Sequence, residues 1–510
     1  MIKMPYFCLI NFRIMRFLHT ITLLLISIFA LTSCERQPSV RYVIGIKDEV
    51  ICSHEEQEFT LTYAIHDNVR NSDTKFSATC DASWVKSIDV SEIGKVVVSL
   101  EENSGEMRTA TITISAPICV TTSVELKQYG TPPAEANHTL MYCFLGTSLS
   151  SYFRTNLEDA TKAINTGILG NNNRVIFFRQ ESKYSGYIGE IYYDGTERRL
   201  KDINISSTLM KPEELGNIIA DMAEFAPAER YGIVFAGHGQ GWITREIIQN
   251  DKDISTFSLG YDPWIQAAGA ETTRAFGESN VQLNIKEVAS AIEYSAVELD
   301  YILFDACFMS NIETVYDLRH LANYIIASPC EIMGKGFPYH RTLPFLFKDG
   351  GKTTDYIGAA KSYHDFYKNE YQGSGRCGSI TVFDCSKIDA LADATKKAMA
   401  GAIDKDSPDY MISHLQTYEG QSLHHFFDFG QWINYIARND EALSNFNARF
   451  DECVIATYTL DTFYSAYGSY GSHKIDLDVY TGVTTSAPTL AYPNGWKETN
   501  WYKEVIALEN

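Results

Sequence analysis

The sequence predicts an α/β fold with a mostly parallel sheet flanked by helices, preceded by a small all-β domain. Short continuous apolar runs, such as residues 231–236 and 301–304, are typical of buried parallel strands. Helical patterns lie between such runs, at Pro212–Phe225 and residues 284–297, and this alternation implies right-handed crossovers and a sheet covered on both faces. Residues 40–130 instead carry alternating, β-branched runs separated by turn residues, the pattern of an all-β domain.

The N-terminal segment, residues 1–34, resembles a bacterial lipoprotein signal. Two arginines precede the apolar run 21–31, which leads into Thr32, Ser33 and Cys34. The run is short for a membrane-spanning helix. We therefore expect cleavage before Cys34 and acylation of that residue. This would anchor the protein by lipid in the bacterial cell envelope, at the outer membrane or cell surface, facing an extracytoplasmic space.

The all-β region has four candidate strands, at residues 58–63, 96–100, 109–114 and 123–127, with Trp84 as a core residue. The stretch from Trp84 through Asn103, together with residues 108–114 and 128–130, resembles the Bacteroidetes-associated carbohydrate-binding (BACON) domain, an immunoglobulin-like sandwich. The resemblance implies either a glycan-binding module or a spacer between membrane and enzyme, and we favour the spacer. Residues 131–138, which begin Thr-Pro-Pro, indicate a stiff linker, so residues 139–510 form the second domain.

The second domain has six candidate strands, at residues 140–145, 174–178, 231–236, 301–304, 324–327 and 379–383. Its last part, from about residue 451 onward, is rich in Tyr, Ser and Gly. We expect this part to pack on the core, and we assign it no chemistry.

Two of these strands run into reactive side chains. His238, which stands between two glycines, follows the strand at residues 231–236, and Cys307 follows the strand at residues 301–304. Parallel strands place their carboxyl ends at one edge, so the histidine and the cysteine should meet there. Gly237 and Gly239 leave room for a backbone N–H to face a substrate carbonyl. This combination indicates a cysteine nucleophile with a histidine partner, hence a cysteine peptidase.

Residues 310–313, Ser-Asn-Ile-Glu, form a capping-box pattern after Cys307. The pattern predicts a helix that begins there, with its positive end near the sulfur. A helix N-terminus would favour the thiolate.

Two longer motifs, residues 236–242 (AGHGQGW) and 304–313 (FDACFMSNIE), resemble those of the clostripain-like cysteine peptidases. Weaker similarities follow at residues 327–331, 336–339, 378–384 and 426–429. The resemblance implies a caspase-like fold and an acyl-enzyme mechanism. It makes His238 the general acid/base, Cys307 the nucleophile, and the backbone N–H groups of Gly239 and Cys307 the oxyanion donors.

Asp305 lies two residues before the cysteine, where a carboxylate would raise the thiol pKa unless it had another task. The resemblance places the matching aspartate in the pocket for a basic residue, which implies cleavage after Arg or Lys. An aspartate here could also simply satisfy loop or helix N–H groups. The chain departs from the family pattern at Phe337 and Pro338, where an acidic residue is often found, and Lys335 is nearby. Both differences argue against a strict preference for arginine.

The stretch between the two motifs, residues 244–278, is long and polar. Such exposed loops are easily cut. Some relatives activate themselves by cleavage between the histidine and the cysteine, so the resemblance makes Arg245, Lys252 and Arg274 candidate self-cleavage sites.

The net charge of −21 argues against nucleic acid as a partner and suits basic peptide substrates. A zinc site at His238 and Cys307 would need further ligands at recognisable spacing, and none is evident. No cofactor is therefore required by the sequence, although the resemblance leaves a calcium requirement open. Of 11 cysteines, Cys8 and Cys34 belong to the signal, and the odd set of nine leaves at least one thiol without a partner inside the chain. Some of Cys52, Cys80 and Cys119 could be bridged in an oxidising compartment.

Two other functions remain open. The caspase-like part could be an inactive scaffold of a surface lipoprotein that binds glycan or protein through its β-sandwich, although the intact His238 and Cys307 speak against it. The same pair could also serve amide transfer or a non-peptide amidase.

Overall fold

A computed structural model describes residues 42–70, 74–131, 134–170, 172–206, 210–250, 266–274, 284–404, 409–488 and 492–507. Residues 1–41, which include Cys34, and the candidate cleavage site Lys252 lie outside the described residues. Within the described ranges, no helix is both long enough and apolar enough to span a bilayer.

The N-terminal region is built from nine strands. They are β1 (Tyr42–Val43), β2 (Glu49–Cys52), β3 (Gln57–Thr62), β4 (Ser77–Thr79), β5 (Val85–Asp89), β6 (Lys95–Leu100), β7 (Arg108–Ser115), β8 (Cys119–Val120) and β9 (Thr122–Gln128), with the short helix α1 (Asp67–Arg70). A four-stranded sheet has the order β2-β9-β7-β4, a three-stranded sheet has the order β3-β6-β5, and β1 pairs with β8. Alternate residues of β6, β7 and β9 are buried, because a pleated strand points successive side chains to opposite faces. Their apolar side chains share one core.

The second domain is organised around a nine-stranded sheet. Its strands are β10 (Ala136–Phe144), β11 (Asn173–Ser182), β12 (Ser185–Ile191), β13 (Glu197–Asn204), β14 (Ala228–Ala236), β15 (Leu299–Asp305), β16 (Ala322–Ala327), β17 (Ile380–Asp384) and, beyond a short strand β18 (Phe427–Asp428), β19 (Val454–Tyr458). The spatial order is β13-β12-β11-β10-β14-β15-β16-β17-β19. The five central strands are mutually parallel, and the pairs at both edges are antiparallel. The predicted fold class is confirmed.

Helices cover both faces of this sheet. They are α2 (Ser150–Ile164), α3 (Pro212–Phe225), α4 (Arg245–Asn250), α5 (Ile285–Ser295), α6 (Ile312–Leu318), α7 (Tyr339–Leu346), α8 (Tyr356–Asn369), α9 (Ile388–Met399), α10 (Phe429–Ile436), α11 (Asp440–Cys453) and α12 (Pro493–Lys497). Side chains of α2, α7 and α8 enter one apolar core, whereas those of α3, α5, α6, α9, α10 and α11 enter the other. Each central strand is therefore buried on both sides, which explains its continuous apolar sequence.

The final segment packs on this framework, as expected. It contains the hairpin of β20 (Thr462–Ser465) and β21 (Gly471–Lys474), and β22 (Thr484–Thr485), which pairs with β18. The nine cysteines of the described chain are all unbridged, including Cys52, Cys80 and Cys119.

The connection between the two domains differs from a free linker. Strand β10 already begins at Ala136, where it pairs with Ala228, inside the range 131–138 expected as a linker. Tyr129 is fully buried, with its ring centroid 4.3 Å from that of Tyr193 in the second domain. His54 of the first domain also hydrogen bonds to the Tyr193 hydroxyl. The all-β region is thus packed against the second domain.

Candidate active site

The structure brings His238 and Cys307 to adjacent loops at one edge of the central sheet. Strands β14 and β15 are parallel neighbours, and their last residues, Ala236 and Asp305, are register partners. The loops that follow are in close contact: a Cβ added to Gly239 would lie 2.6 Å from the carbonyl oxygen of Cys307 and 3.1 Å from its nitrogen. Glycine is therefore needed at this position for the two loops to approach.

His238 is half-buried and faces a serine that the sequence did not single out. Its Nε2 lies 2.8 Å from the hydroxyl oxygen of Ser148, in the loop after β10. A hydroxyl in this position can fix the plane of the imidazole ring.

The Cys307 thiol is fully buried. Its sulfur accepts a hydrogen bond from the backbone N–H of Ile332 at 2.9 Å. Burial raises the pKa of Cys307 well above its usual value, and the nearby Glu331 carboxylate adds to this increase. The hydrogen bond from Ile332 and the positive charge of Arg274 act on this pKa in the opposite direction.

The predicted capping box after Cys307 is wrong in detail. Helix α6 begins at Ile312 with Asn311 as N-cap, and no side chain caps it. The hydroxyl of Ser310 donates instead to the carbonyl of Gly482, and the buried Glu313 carboxylate accepts from Thr485, Ser486 and Trp496. Both side chains of the motif are therefore hydrogen bonded to the C-terminal segment.

The carbonyl oxygen of Arg274 lies between the two expected oxyanion donors. It accepts hydrogen bonds from the backbone N–H of Gly239 at 2.9 Å and of Cys307 at 3.4 Å. Donors from two different loops therefore converge on one peptide oxygen, the arrangement that stabilises negative charge during acyl transfer.

The Arg274 guanidinium fills a closed pocket beside Asp305. Nη1 lies 2.9 Å from Asp305 Oδ2, and both side chains have no exposed surface. Nη2 donates to Asn156 Oδ1 at 2.6 Å, and Nε donates to the carbonyl of Gly334 at 3.2 Å. Every nitrogen of the guanidinium thus has an acceptor, which a buried cation requires.

The pocket has room for arginine because residue 336 is glycine. A Cβ there would lie 2.3 Å from Nη2 of Arg274 and 2.5 Å from Oδ2 of Asp305, and the backbone has a φ of +69°. Asp305 also accepts from the Tyr339 hydroxyl at 2.7 Å and from the Phe337 N–H at 3.3 Å. Burial raises the pKa of Asp305, while the guanidinium and these donors act in the opposite direction.

The residues before Arg274 run antiparallel to the segment that follows Cys330. The N–H of Arg274 donates to Ile332 at 2.7 Å, and the N–H of Gly334 donates to Thr272 at 2.7 Å. Thr273 lies opposite Met333. Residues 272–274 are therefore held as an added strand, which is how extended peptides bind to a sheet edge or groove.

The other candidate residues are placed as follows. Arg245 begins helix α4. Lys335 is exposed, and its ammonium lies 4.7 Å from the ring centroid of Phe366. In the described ranges, no group of three or more His, Cys, Asp or Glu side chains could hold a metal ion. Sequence reasoning missed Ser148 and Asn156, because each reaches the site from a segment without a recognisable motif. Glu331 lies in the weaker similarity at residues 327–331, to which the sequence analysis assigned no role.

Comparison with known proteins agrees with this fold. Residues 148–505 match the model of the clostripain family. A secreted C11 cysteine protease from Bacteroides thetaiotaomicron, "iotapain", is 27% identical, with a TM-score of 0.62, over 73% of this chain and 99% of that chain. An inactive zymogen C11 protease from Parabacteroides distasonis is 26% identical, with a TM-score of 0.59, over 73% of this chain and 99% of that chain.

A further structure of a secreted C11 cysteine protease from Bacteroides thetaiotaomicron, in complex with an irreversible peptide inhibitor, shares the fold, at a TM-score of 0.58 and 22% identity over 72% of this chain and 98% of that chain. Among curated proteins, none matches. The family match covers well over half of the sequence, and the chain belongs to the clostripain family of cysteine peptidases.

Proposed function

We propose that this protein is a lipid-anchored extracytoplasmic cysteine endopeptidase that cleaves after arginine and first cleaves itself after Arg274. One observation carries the proposal: Arg274 occupies the site as a substrate would. Its carbonyl accepts from the N–H groups of Gly239 and Cys307, and its guanidinium is paired with Asp305.

The reaction follows from these positions. The sulfur of Cys307 attacks the carbonyl carbon of the residue in the pocket, forming a C–S bond while negative charge develops on the oxygen between the two N–H groups. The C–N bond then breaks, and His238 delivers the proton taken from the thiol to the departing amine. Water attacks the thioester, the C–S bond breaks, and the thiol recovers its proton.

The pocket favours arginine over lysine as the residue before the cut. A guanidinium presents donors in a rigid fork, and here these donors reach acceptors on three sides, at Asp305, Asn156 and Gly334. Lys335, the lysine that argued against arginine preference, is exposed and holds its ammonium over the Phe366 ring, whereas the Arg274 and Asp305 side chains have no exposed surface. Asp305 is then the residue that selects a positive charge.

Self-cleavage between Arg274 and Ala275 is the favoured processing event among the three candidates. The backbone of residues 272–274 is already paired with the groove, and the carbonyl oxygen is already bonded to the oxyanion donors. The intact chain described here is then the precursor, with its own pocket occupied.

The role of the N-terminal domain is best explained as a spacer that is fixed to the enzyme. The ring of Trp84, the most obvious stacking surface for a sugar, is covered by the Arg108 guanidinium at 4.5 Å. Arg108 is itself held by Gln128 Oε1 at 3.0 and 2.7 Å and by the Glu101 carbonyl at 2.8 Å. This arrangement leaves that face of the indole closed to a glycan.

The central test uses the processed enzyme and an acyloxymethylketone probe with arginine next to the reactive group. We expect labelling of Cys307, cleavage of arginine peptides, and loss of both in Cys307→Ala. A protein that binds glycan tightly, yet neither reacts with the probe nor cleaves peptides, would support the scaffold alternative.

Lipid anchoring is tested separately, by metabolic labelling with an alkyne fatty acid in wild type and in Cys34→Ser. We expect the label in the wild type alone.

A further inference from the structure

The end of the first domain that faces away from the enzyme carries exposed apolar side chains. Strands β1 and β8 form a parallel pair at this end, with Val43 and Val120 as register partners. Tyr42 and Cys119, the residues before them, pack against the domain core. Because successive strand residues point to opposite faces, Val43 and Val120 point outward, and they are 64% and 43% exposed.

Two neighbouring turns add to this group. Ile118 is exposed, and its carbonyl accepts from the N–H of the first residue of β1 at 3.0 Å. Ile93 is exposed in the turn before β6. That turn is hydrogen bonded to Tyr63, and the next residue, Ala64, bridges to Gly45, just after β1. We call these four residues the apolar tip: Val43, Ile93, Ile118 and Val120.

The apolar tip lies at the opposite end of the domain from the enzyme. Strand β9 begins at Thr122, beside the tip, and ends one residue before Tyr129, whose ring packs on Tyr193 of the second domain. At about 3.3 Å per strand residue, these two ends are more than about 20 Å apart. Five large apolar side chains are exposed in the described part of this domain, and four of them form the tip. The fifth, Met107, lies at the enzyme end, directly before β7, whose start pairs with the end of β9.

The two segments that form most of the tip are uncharged. Residues 42–46 and 115–123 contain no Asp, Glu, Lys or Arg. Near Ile93, the charged side chains of Glu92 and Lys95 form an ion pair with each other at 2.7 Å. Exposed apolar groups that are clustered in this way mark surfaces that contact protein or membrane.

The chain itself connects the tip to the proposed lipid anchor. Strand β1 begins at Tyr42, and only residues 35–41 separate it from Cys34. Even when fully extended, a segment of this length reaches no more than about 25 Å, so a lipid on Cys34 keeps the tip close to the bilayer surface. A short tether gives a high effective concentration, and a weak apolar contact is then made most of the time. A bilayer is therefore the partner that the tether brings to the tip.

We propose that the apolar tip inserts into the interfacial region of the membrane that holds the anchor, as a second point of attachment. The inference rests on the proposed function, because it takes lipidation of Cys34 as the reason that a bilayer lies beside the tip. Two attachments fix an orientation, whereas a single lipid leaves the protein free to turn on its tether. The enzyme, at the other end of the domain, is then held away from the lipid surface.

The test places an environment-sensitive nitrobenzoxadiazole fluorophore at either end of the domain in the full lipidated protein. Val120→Cys carries the fluorophore at the tip, and Met107→Cys is the matched control, because both side chains are 43% exposed. Both proteins also carry Cys80→Ser and Cys307→Ala, which remove a partly exposed thiol and the proposed nucleophile. They are reconstituted in vesicles of phosphatidylcholine and phosphatidylethanolamine, with and without nitroxide-labelled lipid.

The inference predicts a difference between the two positions. Emission from position 120 should lie at shorter wavelength than emission from position 107, and it should lose intensity when nitroxide lipid is present. Emission from position 107 should be insensitive to nitroxide lipid. Equal quenching at both positions, or at neither, would overturn the inference. A shift at position 120 without quenching would show that protein covers the tip, which would overturn it as well.

Two further measurements assign the effect. Val43→Asp, added to the protein with the fluorophore at position 120, should reduce the quenching, because it places a charge at the contact. Met107→Asp should leave the quenching unchanged, and an equal reduction by both substitutions would contradict the assignment to the tip. Intact mass shows whether Cys34 carries lipid. A lipidated protein without quenching at position 120 rejects the tip contact alone, whereas a protein without lipid rejects the proposed anchoring and the inference with it.

Discussion

The pocket around Arg274 predicts a measurable preference for arginine over lysine. The three guanidinium nitrogens reach Asp305 Oδ2 at 2.9 Å, Asn156 Oδ1 at 2.6 Å and the Gly334 carbonyl at 3.2 Å. These acceptors lie on different sides of the planar group. The ammonium of lysine concentrates its donors on one atom, so it cannot reach all three at once.

The expected size of the preference for arginine follows from the hydrogen bonds that a lysine side chain cannot make. A hydrogen bond that involves a charged group contributes about 1.5–3 kcal/mol. The loss of one such bond therefore corresponds to a decrease in kcat/KM of about 10- to 100-fold, since each 1.4 kcal/mol is roughly a factor of ten.

The assay uses two fluorogenic peptides that are identical except for arginine or lysine before the cleaved bond, with active-site titration of the processed enzyme. A leucine peptide and the Cys307→Ala variant serve as controls. The same ratio should fall in Asn156→Ala, which removes one acceptor without removing the charge of Asp305. Lysine and arginine peptides cleaved at equal rates by the wild type would refute the reasoning.

Three further predictions concern processing, pocket shape and pH. Arg274→Gln should stop self-cleavage, and Arg245→Gln, in the same insert, should not; intact-mass measurement of the purified chains would show which bond is cut. Gly336→Ala should lower kcat/KM on arginine peptides about 100-fold, because a Cβ would overlap the guanidinium position and the backbone φ is +69°; an unchanged rate would mean that arginine binds elsewhere. Burial raises the pKa of Glu331 from 4.5 to about 7, so the folded state binds the extra proton. This carboxyl group should therefore lower the free energy of unfolding by on the order of 3 kcal/mol as pH rises through that window. When urea unfolding is compared at acidic and alkaline pH, the total fall should be smaller by that amount in Glu331→Gln, because the buried carboxyls of Asp305, Glu313 and Asp428, whose pKa values are also raised, remain.

The sequence alone was sufficient to predict the central sheet and the two loops that carry His238 and Cys307. Buried parallel strands have continuous apolar sequences. Strand β14 begins three residues before its predicted core, and β15 begins two residues before its predicted core and ends one residue after it. A glycine pattern beside a histidine is likewise a local signal. These features depend on neighbours in sequence, so they can be read without knowing the rest of the fold.

The residues that shape the pocket could not be found in this way. Asn156, for example, lies on helix α2 and reaches Arg274 only because helix and sheet are packed together. The capping box at Ser310 failed for a related reason. Its side chains found partners about 170 residues later in the chain, at Gly482 and Thr485, and tertiary contacts outweighed the local motif.

Residues 272–274 connect the buried Cys307 thiol with the filled arginine pocket. The strand pairs with Ile332, whose N–H is bonded to the sulfur, while its last residue is paired with Asp305. If cleavage after Arg274 frees this strand, the pocket opens and the thiol becomes more exposed, which lowers its pKa. Departure of the Arg274 charge, which lowers the pKa of Cys307, acts in the opposite direction, so the main expected change is access to the sulfur.

This coupling can be tested without the enzyme's own activity. In His238→Ala carrying a recognition site for an unrelated protease directly after Arg274, iodoacetamide labelling of Cys307 should rise at least about tenfold once that protease has cut. The uncut sample of the same variant is the control. An equal labelling rate before and after the cut would mean that the covering strand remains in place, and that another event must open the site.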